Sequence, residues 1–237
     1  MSVADQSQPP RIAMLGGTFD PVHLGHLRSA VELREALALD TVHMIPVHVP
    51  PHRAAPGVSS AHRLALLAAG IGSTPGLVAD DREIRRSGHS YSVDTLASLR
   101  DTYGDEARLI MAVGHDAFLG LPSWHEKERL FSLAHVVVID RPDYEARLPA
   151  ELADLIAGRE VTDPGALMEA PAGRLLRLTL SSRMAISATE LRARVREGRS
   201  IRYLVPAAVE RYITEQSLYE AGAAAMAAGS GVVGSSE

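Results

Sequence analysis

Short apolar runs alternate with longer segments of helical periodicity along most of the chain. In the longer segments, apolar residues recur every three to four positions, as on one side of a helix. The pattern predicts strands at 12–15, 42–45, 77–79, 109–113, 136–139 and 175–180, and helices at 24–39, 60–69, 92–103, 126–132, 152–156, 188–197 and 206–216. Because strands and helices alternate, we predict an α/β fold, a Rossmann-like doubly wound parallel sheet with a helical C-terminal part.

The two ends of the chain differ in composition from its centre. The first ten residues are mostly polar, and the segment from Ala221 onward consists almost entirely of Ala, Gly, Ser and Val. Such segments lack the bulky side chains that a packed core requires. We therefore expect a disordered N-terminus at 1–10, a single folded domain at 11–218 and a disordered tail at 219–237.

Charge and residue usage exclude several classes of function. The 237 residues carry a formal net charge of -5, so the whole protein does not attract a polynucleotide or an anionic membrane. The chain contains no cysteine, which excludes disulfides, thiolate catalysis and cysteine-based metal sites. No apolar run reaches the roughly 18 residues of a membrane span. We expect a cytoplasmic protein with neither a polynucleotide nor a membrane as partner.

The first predicted strand leads into a loop with the sequence GGTFDPVHLGH at 16–26. Its glycines let a phosphate approach the backbone, and the free N–H groups at the start of the next helix attract anions. His23 and His26 lie three positions apart, so both imidazoles can donate to one phosphate chain. The segment fits neither the Walker A nor the GxGxxG pattern. A glycine-rich turn with ordinary histidines, or a metal pair of His23 and His26 with Asp20, is the alternative.

A second motif, ISATELR at 186–192, follows the last predicted strand. Ser187 and Glu190 have the spacing of a capping box, so Ser187 should begin a helix whose N–H groups and Thr189 hydroxyl face an anion. Arg192 lies about one turn further along. Taken alone, an ordinary capped helix with a surface arginine explains this motif better than phosphate binding does.

Together, the two motifs resemble those of the nucleotidylyltransferase superfamily, whose HxGH motif binds the phosphates of ATP. The second motif is similar to the ISSTxxR element of that superfamily, with Ala188 at the position of its second serine. The resemblance implies that His23, His26 and Arg192 are catalytic. It also implies ATP contacts at Gly16, Gly17, Thr18, Phe19, Gly25, Ser187 and Thr189.

Four further segments resemble the nicotinate mononucleotide adenylyltransferases of this superfamily, and the resemblance covers about residues 11–218. The segments are PPHR at 50–53, DREI at 81–84 with RSGHSYSVDTL at 86–96, GHD at 114–116, and Trp124. They imply adenosine contacts at Gly114 and Asp116, and contacts to nicotinate mononucleotide at Arg53, Tyr91, Ser92 and Trp124. Ser92 and His125 depart from the pattern, which has Thr and Tyr there. A solvated proline-rich loop and a core tryptophan are the plain alternatives.

The resemblance implies a reaction. The phosphate of nicotinate mononucleotide attacks ATP and gives nicotinate adenine dinucleotide and pyrophosphate, a step of NAD biosynthesis. Mg²⁺ carried by the ATP phosphates is the implied cofactor, with no separate metal site on the protein. Transfer to nicotinamide mononucleotide or another phosphorylated acceptor, and ATP binding without catalysis, are the alternatives; a His/Asp metallohydrolase ranks last. The sequence leaves open whether the chain forms a homo-oligomer.

Overall fold

A parallel β-sheet forms the centre of the protein. The computed structural model describes residues 8–48, 57–140, 148–182 and 184–221. In this part of the chain, seven strands form one sheet in the order β3-β2-β1-β4-β5-β7-β6, and every pairing is parallel. The strands are β1 (Arg11–Gly17), β2 (Thr41–Pro46), β3 (Leu77–Ala79), β4 (Arg108–Gly114), β5 (His135–Asp140), β6 (Glu160–Val161) and β7 (Leu175–Thr179). The predicted Rossmann-like α/β fold is confirmed.

Helices cover both faces of this sheet. They are α1 (Leu24–Ala36), α2 (Ser60–Ile71), α3 (Ser92–Tyr103), α4 (His115–Leu119), α5 (Lys127–Leu133), α6 (Ala150–Ile156), α7 (Pro164–Met168), α8 (Ala188–Arg196) and α9 (Ala207–Glu215), with a 3₁₀ turn at Leu121–Ser123. One core cluster joins the sheet to α1, α2, α7, α8 and α9, and a second joins it to α3 through α6. In the described residues, no helix has both the length and the apolar character needed to cross a membrane.

Alternation along each strand divides its side chains between these two clusters. Successive side chains of a strand point to opposite faces, so Ile12 and Met14 belong to one cluster and Ala13 to the other. Val136, Val137 and Val138 of β5 are at most 1% exposed. A continuous apolar run therefore marks a strand that is covered on both faces.

The strand order reverses between β1 and β4. From β1 the chain continues to β2 and β3 on one side, whereas β4 begins the other half of the sheet. In open α/β sheets, the crevice at such a reversal binds the ligand. Gly16 and Gly17 end β1 and Gly114 ends β4, so the predicted glycine loop and the GHD segment lie on either side of this crevice.

Sequence analysis did not predict the short elements β6, α4 and α7. β6, α4 and α7 contain five residues or fewer, too few to express a hydrophobic period. Two of them lie between Tyr144 and Pro171, where the sequence predicts only the helix at 152–156. That helix is confirmed as α6, which begins two residues earlier.

Both predicted domain limits are drawn too tightly. Tyr219, assigned to the tail, is 8% exposed and belongs to the core cluster that contains α1 and α9. At the other end, the carbonyl oxygen of Pro10 accepts a hydrogen bond from the Arg108 N–H at 2.8 Å. Composition could not reveal these contacts because each joins residues far apart in the sequence. Most of the two predicted disordered ends lies outside the described residues.

His135 is a fully buried histidine at the start of β5. Its Nε2 lies 2.8 Å from the Ala170 carbonyl oxygen, and its Nδ1 accepts the Arg174 N–H at 3.1 Å. A neutral ring with its proton on Nε2 satisfies both contacts. Burial, reinforced by the charges of nearby arginines, lowers the pKa of His135 to about 4.

This residue should make the protein sensitive to acid. The unfolded chain, with a histidine pKa of about 6.5, takes up the proton first, so the free energy of unfolding should fall as the pH drops from about 6.5 to about 4. The free energy of unfolding should be measured by chemical unfolding at about pH 7 and at about pH 5. Its decrease between these two pH values should be about 2 kcal/mol smaller in His135→Gln than in the parent protein. An equal loss in both proteins would contradict this assignment.

Candidate active site

His23 and His26 face the crevice from the start of α1. His23 is the N-cap residue, and its Nδ1 accepts the backbone N–H of His26 at 3.4 Å. A ring nitrogen that accepts a hydrogen bond carries no proton, so the neutral His23 ring has its proton on Nε2. The helix cap therefore fixes which nitrogen of His23 can donate to a ligand.

The two imidazoles are stacked on each other. Their centroids are 3.6 Å apart with an interplanar angle of 19°, and the Phe19 ring meets His26 edge-on at 5.1 Å. Burial lowers the pKa of His23 to about 4, and burial together with His23 lowers that of His26 to about 3. Both rings are consequently neutral near pH 7 in the ligand-free protein.

The Phe19 side chain belongs to the core. It is 2% exposed, so almost none of it is accessible to a ligand. It packs on His26 and thereby holds that imidazole in place. Any contact of residue 19 with a nucleotide has to come from its backbone.

The glycines of the site serve two purposes. A Cβ at Gly16 or at Gly114 would meet no heavy atom within 4 Å, so space is open above the ends of β1 and β4. A Cβ at Gly17 would lie 2.9 Å from the Phe19 ring, and one at Gly25 would lie 3.1 Å from His23 Nδ1. Gly17 and Gly25 are thus required by packing inside the loop, whereas Gly16 and Gly114 leave room for a ligand.

Asp116 lies beside this open space. Gly114 is the N-cap of α4, and Asp116 stands exposed in the first turn of that helix. Because β1 and β4 are neighbours in the sheet, Asp116 and the glycine loop share one edge. This placement agrees with the adenosine contact that the resemblance implies.

The second motif begins α8, which packs in the same core cluster as α1. Ser187 caps α8, and its hydroxyl accepts the Glu190 N–H at 3.5 Å. The reciprocal half of the predicted capping box is absent from this helix, because Glu190 instead accepts a hydrogen bond from Arg194 at 3.0 Å. Thr189 Oγ1 accepts from Arg192 at 3.3 Å, which orients the guanidinium.

Arg192 joins the two motifs. Its Nη1 donates to the backbone oxygen of Asp20 at 2.6 Å and lies 3.8 Å from Asp20 Oδ2. The Arg192 side chain is 27% exposed, so part of it stays accessible to solvent. Two segments that are far apart in the sequence are therefore joined at Asp20.

Asp20 does not fit the metal-pair alternative. The carboxylate is 3% exposed, and its two oxygens accept hydrogen bonds from the Gly57 N–H at 2.7 Å and the Tyr219 hydroxyl at 2.6 Å. His23 Nδ1 is also committed to the helix cap. Within the described ranges, no group of three or more His, Cys, Asp or Glu residues could hold a metal ion.

Glu32 anchors the loop that leads to α8, and sequence analysis missed it. It is 6% exposed on α1 and accepts the Ser182 N–H on both carboxylate oxygens at 3.1 Å. Burial alone would raise the pKa of Glu32, but hydrogen bonds from Ser182 and Arg28 outweigh it and lower the pKa to about 2. The only sequence signal was an acidic residue between the apolar positions Val31 and Leu33.

Buried and partly buried hydrogen bonds hold the segment at 81–96 in place. Glu83 accepts from the Thr95 hydroxyl at 2.8 Å, and Ser90 Oγ accepts the His48 N–H at 3.1 Å. Burial raises the pKa of Glu83 in spite of its hydrogen bonds from Thr95 and Ser90. These hydrogen bonds fix the start of α3 beside the end of β2.

Predicted acceptor residues lie at the start of α3 and after the 3₁₀ turn. Tyr91 is the N-cap of α3, Ser92 is its first residue, and the Tyr91 ring lies 4.4 Å from that of His125. Trp124 and Tyr91 are partly buried and pack on the same core cluster. Trp124 thus combines core packing with an accessible part, while Arg53 lies outside the described residues.

Comparisons with known proteins assign the family. Residues 14–194 match the model of the cytidylyltransferase-like family. A protein of Chromohalobacter salexigens named "Probable nicotinate-nucleotide adenylyltransferase" is 66% identical over 216 residues, 91% of this chain and 99% of the relative. A Pseudomonas aeruginosa protein with the same name is 46% identical over 211 residues, 89% of this chain and 98% of the relative.

A solved structure agrees with the fold. It is the Plasmodium falciparum nicotinic acid mononucleotide adenylyltransferase complexed with NaAD, which superposes with a TM-score of 0.66 over 89% of this chain and 97% of that chain. At 15% identity, this similarity establishes the fold alone. Membership of the family is established by the family model and the closely similar relatives. The chain therefore belongs to the cytidylyltransferase-like family and, within it, to the nicotinate-nucleotide adenylyltransferases.

Proposed function

We propose that this chain joins nicotinate mononucleotide to the AMP part of ATP and releases pyrophosphate, and that His23, His26 and Arg192 carry the transfer. The hydrogen bond of 2.6 Å between Arg192 and the Asp20 carbonyl is the main support. It unites the starts of α1 and α8, two helix N-termini that attract anions. A triphosphate lying between them would meet donors on both sides.

The chemistry needs no general base. The second pKa of a phosphate monoester is about 6, so nicotinate mononucleotide arrives largely as the dianion. One of its oxygens forms a bond to the α-phosphorus of ATP, and the bond from that phosphorus to the bridging oxygen breaks. Pyrophosphate leaves with the electron pair. Positioning of the reactants and stabilisation of the developing charge therefore supply the rate acceleration.

The pKa values of the two imidazoles in the ligand-free protein suit them to stabilise the developing charge. Each is neutral before ATP binds, since its pKa lies near 4 or 3. A bound polyphosphate favours protonation of His26, whereas His23, whose Nδ1 accepts the helix-cap hydrogen bond, keeps a single proton on Nε2. His23 Nε2 and His26 then donate to the phosphate chain, while Arg192 clamps the leaving phosphates. Thr18, Ser187 and Thr189 add accessory donors at the rim.

Mg²⁺ is proposed to enter with ATP. Both oxygens of Asp20 are already engaged by Gly57 and Tyr219, and the described residues near His23 offer no further cluster of carboxylates. This donor set fits an ion held mainly by phosphate oxygens and water, for which Mg²⁺ is suited. When bound, the ion would neutralise charge on the triphosphate.

The acceptor would lie against α3. Tyr91, Ser92 and Trp124 line one side, and the flat faces of aromatic side chains stabilise a cationic pyridine ring. Arg53 is proposed to contact the mononucleotide phosphate because its PPHR segment resembles the corresponding segment of the nicotinate mononucleotide adenylyltransferases. A cytoplasmic location stays a prediction of the sequence, and the oligomeric state stays open.

An acceptor assay tests this proposal. With ATP and Mg²⁺, we expect equal amounts of pyrophosphate and dinucleotide, and a kcat/KM for nicotinate mononucleotide about tenfold or more above that for the amide form. Pyrophosphate release and chromatography of the dinucleotide are the measurements. Preference for the amide would overturn the acceptor, and binding of ATP without pyrophosphate release would favour the non-catalytic alternative.

A further inference from the structure

The chain beyond α9 folds back onto the phosphate-binding loop. Leu218 and Tyr219 are 7% and 8% exposed, although they follow the last helix and precede a stretch of small residues. The Tyr219 hydroxyl donates to Asp20 Oδ1 at 2.6 Å. Asp20 itself lies between the glycines of β1 and the His23 cap, so the C-terminal segment touches the centre of the site.

Asp20 connects four parts of the protein. Its Oδ2 accepts the Gly57 N–H at 2.7 Å, and its backbone oxygen accepts from Arg192 at 2.6 Å. With Tyr219 on Oδ1, this residue ties together the phosphate loop, the segment entering α2, the α8 arginine and the C-terminal segment. A buried carboxylate costs free energy unless several donors satisfy it, so each of these contacts supports the others.

Arg63 completes the surroundings of this carboxylate. It is 1% exposed and donates to the Thr18 carbonyl at 2.9 Å. Its charge attracts the Asp20 carboxylate. Burial and the Asp20 carboxylate raise the pKa of Tyr219, so its hydroxyl keeps its proton and acts as a permanent donor. The buried ring and the engaged hydroxyl prevent direct contact of Tyr219 with substrate.

We propose that Tyr219 is a positioning residue of the transfer reaction, which acts through Asp20 to keep the phosphate loop and Arg192 in their reactive arrangement. This inference rests on the proposed function. Without the hydroxyl, the buried Asp20 carboxylate would lose one of its donors, and its loop would shift to find another. The effect should fall on kcat, since a small misplacement of reacting groups costs rate even where binding survives.

Two tyrosine variants make a matched test. Tyr219→Phe and Tyr212→Phe each delete one hydroxyl and keep the ring, but Tyr212 bonds His62 at 3.1 Å instead of Asp20. We expect Tyr219→Phe to lower kcat about tenfold while the KM for ATP changes by less than about threefold. Tyr212→Phe should keep kcat within about twofold of the parent. Equal kcat in all three proteins would overturn the inference.

A double-mutant cycle tests whether the effect passes through Asp20. In an Asp20→Asn background, Tyr219→Phe should change kcat by less than about twofold, because the two changes disturb one contact. A further tenfold loss there would show that Tyr219 acts independently of Asp20. If Tyr219→Phe fails to fold, Asp20→Asn alone is decisive, and unchanged kcat would refute the inference. A parent enzyme that forms no dinucleotide would refute the proposed function instead.

Discussion

Replacing His26 with alanine is expected to lower kcat about 10²–10³-fold, the usual cost of losing one donor to a developing charge. His26 stacks on His23 at 3.6 Å and faces the proposed path of the triphosphate. Its Nδ1 is buried without a hydrogen-bond partner among the described residues, so the substitution leaves no partner of that atom unsatisfied. The backbone N–H that bonds His23 is retained. Activity should therefore fall with little loss of stability.

Steady-state rates of pyrophosphate release and the midpoint of thermal unfolding test this expectation together. His62→Ala is the matched control, since His62 lies on α2 and bonds Tyr212. Its kcat should stay within about twofold of the parent. His23→Ala should differ from His26→Ala in stability, because it removes a helix cap worth about 1 kcal/mol. Full activity of His26→Ala would remove this histidine from the mechanism.

The second large effect is expected for Arg192→Lys, which should lower kcat about 100-fold although the charge is kept. The planar guanidinium bonds Asp20 and Thr189 and, with the side chain 27% exposed, has further N–H groups to donate. A lysine has its three N–H donors on a single nitrogen and lacks the planar fork with which a guanidinium bonds two acceptors in parallel. The loss should therefore come from geometry more than from charge.

Arg194→Lys is the control for this variant. Arg194 lies on the same helix and pairs with Glu190 at 2.9 Å with its side chain 30% exposed. Partly exposed ion pairs contribute about 0–1 kcal/mol to the free energy of unfolding. Arg194→Lys should therefore have the reaction rate and the stability of the parent protein. Kinetic constants for both substrates and the unfolding midpoint should be measured for each variant. Equal activity of the two lysine variants would exclude the clamp role of Arg192.

Much of the architecture could be predicted because it depends on local patterns. The strand at 77–79 and the helix at 92–103 have the predicted bounds, since apolar periodicity and turn residues are properties of adjacent positions. The two motifs could also be recognised, because the free N–H groups at a helix start attract anions in any fold. The sequence alone therefore determined the fold class and the placement of the two motifs after strands β1 and β7.

Only the tertiary structure decided which distant groups meet. Arg192 and Asp20 are 172 positions apart, and Tyr219 and Asp20 are 199 apart. Sequence analysis gave Arg63 no role and assigned Tyr219 to a predicted tail, yet both are buried. A buried charged or hydroxyl group is tolerated only where other segments supply its hydrogen bonds. The sequence around a residue does not indicate such distant hydrogen-bond partners, so only the folded structure identifies them.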